Sequence, residues 1–178
     1  ALVYIPNSLN GAIDPFTPGV TCDQCGANVS GSPLVTTTTA VDGTFSLTNV
    51  PCGVDVPVVI QMGRWRRKVV VPAVQCCVTT TMTNAQTHLP RNKAEGDIPA
   101  IAVVTGNADP MECVLPKIGI DTAEFTDPNG TGRVNFYQAS TAGAGATISG
   151  ATPKDTALWG NLTTMKKYDL IIIDCEFT

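Results

Sequence analysis

Up to residue 83 the chain shows no helical period. In its place stand short β-branched runs: "LVYI", "PLVTTTTA", "TFSLT", "VDVPVVIQM", "RKVVV" and "VTTTMT". Turn signals separate them, among them "VDGT" at 41–44 and "QMGRW" at 61–65. Short strands at this spacing predict an antiparallel sandwich or barrel. "TFSLT" alternates, with Phe45 and Leu47 on one face and Thr44, Ser46 and Thr48 on the other, as in a half-buried strand. Asp42-Gly43 suits a tight hairpin turn, because glycine takes a positive φ without strain.

Residues 84–98, "NAQTHLPRNKAEGDI", are polar, carry Pro90 and Gly96, and read as a linker. The pattern then changes. "PAIAVVTG" (99–106) is a buried apolar strand. Asp109 as N-cap and Pro110 at the first helical position open a helix with Met111, Val114, Leu115 and Ile118 at helical spacing. Gly119 stops it, and Pro116 shortens or kinks it. "RVNFYQ" (133–138) is the next strand. A second helix follows, opened by Thr152 and Pro153, with Leu158, Leu162 and Met165 on one face; "YDLIIID" is the third strand. Strand, helix, strand, helix, strand is the alternation of a parallel sheet. The expectation is an α+β chain: an antiparallel β-sandwich over 1–83, the linker, and an incomplete α/β region over 99–178. A doubly wound sheet needs about five strands. A missing C-terminal part or a protein partner is therefore expected to cover the open edge.

Of 178 residues, 43% are hydrophobic and 15% charged, enough apolar content for a core. The net charge of −4 argues against a nucleic-acid binder. No apolar run approaches the ~18 residues of a membrane helix. Five of the seven cysteines (Cys22, Cys25, Cys52, Cys76 and Cys77) lie in the first 77 residues. Two disulfides with a leftover thiol, a tetrathiolate zinc site and free thiols all fit that count. Cysteine density in a small β-rich unit favours disulfides and an oxidising compartment, extracellular or cell envelope.

Two places could carry binding chemistry. "GRWRRK" (63–68) is the dense basic cluster: Arg64, Arg66 and Arg67 could grip an anion and Trp65 stack a sugar. The competing reading is a hairpin whose charges protect a sheet edge. In the α/β region, ligands bind at the carboxyl ends of the strands. Thr105, Gly106, Asn107 and Asp109 stand there after one strand, Cys175 and Glu176 after another, with Asp109 first of all a helix cap. "TGNAD" is no dinucleotide fingerprint. Cys175 is a poor nucleophile: Ile173 and Phe177 are too bulky for a strained elbow, and His88, the sole histidine, lies in the linker. Cys113 reads as a small buried hydrophobe. No catalytic residue, metal or cofactor is assigned.

Residues 35–72 resemble the carboxypeptidase regulatory-like domain, a transthyretin-like β-sandwich. Asp42, Gly43, Phe45, Leu47, Val50, Pro51 and Gly53 occupy the places of its signature. The second half is similar to the flavodoxin-like core of the class I glutamine amidotransferase-like superfamily. "LPRNKAEGDIP" and "ECVLPKIGIDTAEFT" resemble stretches of bacterial secreted proteins that join the two. That resemblance implies a non-catalytic structural or surface-interaction module of a secreted or cell-envelope protein. The alternatives are a fragment of a hydrolase or amidotransferase-like enzyme whose nucleophile lies beyond residue 178, and a carbohydrate-binding module.

Overall fold

The computed structural model describes residues 1–7, 11–21, 29–140 and 145–175. The chain divides into two compact units, one of Ala1–Phe16, Asp23–Pro90 and Ala94–Asp97, the other of Thr17–Cys22, Arg91–Lys93 and Ile98–Thr178. The first holds an antiparallel four-stranded sheet and the second a parallel one, with few helices between the strands, so the chain is α+β.

In the first unit β1 (Leu2–Ile5), β2 (Val35–Thr38), β3 (Val56–Met62) and β4 (Trp65–Val71) lie in the order β2-β1-β3-β4. β3 and β4 form a hairpin closed by the Met62–Trp65 pair. Gly63, with φ +57°, supplies the positive φ that a two-residue type II′ loop needs at its first position. At the expected "VDGT" turn, Gly43 has φ +85°, and the Asp42 carboxylate accepts from the Thr44 N–H and hydroxyl.

One face of this sheet buries Val3, Ile5, Val56, Val58, Ile60 and Val71. Phe45, Leu47, Val50, Met82 and Leu89 pack against them. The alternation of Phe45 and Leu47 is thus real, but 44–48 and 78–83 form no strand. Among the described residues, irregular chain supplies the layer a second sheet would supply in a sandwich. The segment expected as a linker belongs largely to this cover. It carries α1 (Asn84–Thr87) and a buried Pro90, and Asp97 exchanges backbone hydrogen bonds with Arg66.

The Cys52–Cys76 disulfide clamps the entry to β3 against the exit from β4, beside the Gly53 N–H to Val74 C=O bond. Cys77, its neighbour, is an exposed free thiol. A tetrathiolate zinc site using Cys52 and Cys76 is therefore not formed. Cys22 and Cys25 lie outside the described residues.

In the second unit β5 (Ile101–Thr105), β6 (Phe125–Thr126), β7 (Val134–Gln138) and β8 (Leu170–Ile173) pair in parallel in the order β6-β7-β5-β8. β7-β5-β8 is the 2-1-3 arrangement that opens one doubly wound order, with β6 a two-residue addition outside it. β5 is central and wholly buried. Its Ala102 and Val104 pack with Tyr137, Leu158 and Tyr168. The tyrosine hydroxyls are satisfied in series: they bond each other at 2.9 Å, and Tyr168 donates to Asn135.

The helices are shorter than their periodicity predicts. The first begins as a 3₁₀ turn (Met111–Cys113) and continues as α2 (Val114–Lys117). Pro110, not Asp109, sits at its N-cap, and no side chain caps it. Its end is as expected: Gly119, at φ +108°, lets its own N–H reach Pro116 C=O and the Ile120 N–H reach Leu115 C=O, a Schellman stop. Leu115 is buried, whereas Met111, Val114 and Ile118 are exposed. Cys113 is exposed too, which corrects its reading as a buried hydrophobe. The second expected helix is two, α3 (Thr156–Trp159) and α4 (Leu162–Met165), each with its own cap. The Asp155 carboxylate accepts from the Thr156 N–H, and Asn161 Oδ1 accepts from the N–H groups of Thr163 and Thr164. Thr152 instead donates its hydroxyl to Asp127.

Candidate functional site

Within the basic cluster of the first unit, Arg66 is turned inward. Arg66 and Arg67 are neighbours on β4, so their side chains leave opposite faces of the sheet. Arg66 is only 4% exposed. Its Nε donates to Asp97 at 2.8 Å, its Nη2 donates to the Asp14 carbonyl at 2.8 Å, and its guanidinium stacks 4.1 Å from the Phe16 ring centroid. Arg64 lies over the same ring at 5.6 Å. On the other face, Arg67 donates to the Ala85 and His88 carbonyls and to His88 Nε2. His88 is thereby held with Nδ1–H toward the Leu89 carbonyl and Nε2 as acceptor. Lys68 reaches the Gly11 carbonyl.

Arg66 Nε and Nη2 and Arg67 Nη1 therefore fasten the covering segments to the sheet. Trp65 is half-buried. A shallow groove of this unit, lined by 34–36 and 48–51, contains no titratable side chain.

The second place is the carboxyl end of the parallel sheet, where β5 and β8 stand side by side. Thr105 is fully buried and donates its hydroxyl to the Ala146 carbonyl at 2.7 Å, so it is a brace for the loop after β7. Gly106 is the point of closest approach: a Cβ there would lie 2.6 Å from the Cys175 carbonyl oxygen. Asn107 and Asp109 are exposed beyond it, and Cys175 is exposed with a free thiol. Glu176 lies outside the described residues. Of the six expected pocket residues, then, Gly106 and Cys175 meet, Thr105 supports them, and Asn107 and Asp109 face solvent.

The residues that give this place its electrostatics are two that the sequence reading passed over. Asp174, at the end of β8, is 4% exposed; its N–H donates to Val104 C=O and its Oδ2 accepts from the Gly106 N–H at 3.4 Å. Glu112, in the 3₁₀ turn after β5, brings its carboxyl within hydrogen-bonding reach of Asp174. Asp174 Oδ1 and Glu112 Oε2 are both buried and find no donor among the described residues. Burial pushes the Asp174 carboxyl up to about 6, and the Glu112 charge pushes the same way. The N–H groups of Gly106 and Met111 pull it down. The sequence signal for Asp174 is an acid ending an apolar strand at the ligand-binding end of a parallel sheet. Glu112 carries none, because its direction depends on the helix starting as a 3₁₀ turn.

β8 itself is the other unusual feature. Among the described residues it is an edge strand, paired only with β5, and its residues are Leu-Ile-Ile-Ile. Leu170 is 43% exposed and Ile173 62%. Among the described residues no helix is long and apolar enough to cross a membrane, and no three metal-ligating side chains converge. Comparison with protein-family models, with curated proteins and with solved structures found no match.

Proposed function

We propose that the chain is a structural, surface-interaction module of a secreted or cell-envelope bacterial protein, and that it acts by accepting a further strand at β8. The exposed apolar edge of β8 carries this reading. Sheet edges are ordinarily blunted by charge, proline or bulges, because their free N–H and C=O groups template pairing with another chain. β8 has none of these devices between Leu170 and Ile173. An added strand would bury its aliphatic side chains and satisfy its outward backbone groups together, the mode called β-augmentation. The Cys52–Cys76 bridge supports an oxidising compartment. The resemblance of residues 35–72 to carboxypeptidase regulatory-like domains supports a spacing or adhesion role for the first unit.

An unprotected edge with no partner present pairs with itself. The chain is therefore expected to self-associate at tens of micromolar in sedimentation equilibrium. Ile173→Lys, which places a charge on an already exposed position, should make it monomeric with its melting temperature unchanged. A wild-type chain that sediments as a monomer at every concentration contradicts this reading.

A further inference from the structure

Two carboxyl groups in contact, each with a buried oxygen that has no donor among the described residues, are an unstable arrangement when both are ionised. Both oxygens are then acceptors, and both are buried. One proton resolves it, because a carboxylic acid donates where a carboxylate cannot. Asp174 Oδ1 and Glu112 Oε2 are such a pair.

We propose that Asp174 and Glu112 share one proton, and that this proton is a pH-sensitive latch fastening the 111–117 helical turn to the carboxyl end of β8. Among the described residues, the groups facing Asp174 are few. The 3₁₀ turn presents the Glu112 carboxyl and the Met111 N–H, and the end of β5 presents the Gly106 N–H. The flanking thiols, Cys113 and Cys175, are exposed. Asp174 is the member that holds the proton, being 4% exposed at the end of a strand while Glu112 is half-buried on a turn. With the proton in place the turn is bonded to β8. Without it two carboxylates repel in a site where water does not screen them, and the turn is the part free to move.

The direction with pH follows from the raised carboxyl. The folded chain keeps the Asp174 proton up to about pH 6, whereas the unfolded chain releases it near the ordinary 3.8. The latch's contribution to stability is therefore full below that lower value and is lost as pH rises through about 6.

Asp174→Asn tests it, since the amide can donate to Glu112 at any pH and so imitates the locked state. Followed by Trp159 fluorescence in a Trp65→Phe background, Asp174→Asn should melt about 5 °C above its parent at pH 8 and together with it near pH 4.5. Glu112→Gln, which donates to the ionised Asp174, should also raise the melting temperature at pH 8. Amide exchange over 111–118, corrected for the intrinsic effect of pH, should be faster at pH 8 than at pH 5.5 in the parent and equal in Asp174→Asn. If Asp174→Asn lowers or leaves unchanged the melting temperature at pH 8, the shared proton is wrong. It is also wrong if Mg²⁺ or Ca²⁺ at pH 8 stabilises the parent but not Asp174→Asn, since the pair would then hold a cation.

Discussion

Arg66→Ala is expected to cost the first unit about 3 kcal/mol, measured by urea unfolding with Trp65 as reporter. Arg66 is buried while its partner Asp97 is 39% exposed, so the figure sits at the low end for a broken buried pair. The released aspartate can take water, but the Asp14 carbonyl loses its donor and the Phe16 ring loses the guanidinium stacked on it. Arg66→Lys should recover less than half of the loss. An ammonium is a point charge and cannot donate in two fixed directions while lying flat on a ring. A loss below about 1 kcal/mol would mean that residues 11–16 are not pinned through this side chain.

The second large effect is expected from reduction. Opening Cys52–Cys76, which spans a sequence separation of 24, should lower the stability of the first unit by about 3.5 kcal/mol on the loop-entropy relation. The effect should be confined to that unit, because both bridged cysteines belong to it and the described cysteines of the second, Cys113 and Cys175, are already free thiols. Following Trp65 and Trp159 separately in reductant distinguishes the units. A fall reported equally by Trp159 would mean that the two do not unfold independently. Cys52→Ser/Cys76→Ser should reproduce the loss of stability seen at Trp65 on opening this bridge.

The strands of both sheets were legible where period and burial coincide. β1, β3, β4, β5 and β7 are apolar or alternating runs, and each forms a strand. "TFSLT" shows what periodicity leaves open. Phe45 and Leu47 do face the core, but a strand also needs a partner, and that choice is made by long-range packing. The helices were misjudged in length, since Gly160 and Asn161 divide what a single apolar face would join. Asp109 was credited with a cap that Pro110 displaces.

For the site, topology was readable and side-chain direction was not. Strand order and the carboxyl-end rule lead to Gly106 and Cys175. Only the folded turn shows that Glu112, and not Asp109 or Asn107, points back to β8. The arginines of 64–67 make the same point. As a string they are a basic patch; on the pleated strand Arg66 and Arg67 separate to opposite faces, and Arg66 is buried.

The claim that β8 accepts a strand can be tested on its own amides. The N–H groups of Leu170 and Asp174 bond to Ala100, just before β5, and to Val104 on it, so by alternation those of Ile171 and Ile173 point away from the sheet. Amide hydrogen exchange across a concentration series should find Ile171 and Ile173 unprotected in dilute protein and progressively protected as concentration rises. Leu170 and Asp174 should be protected throughout. If Ile171 and Ile173 exchange freely at every concentration while the protein still associates, the association runs through another surface and β8 is not its docking edge.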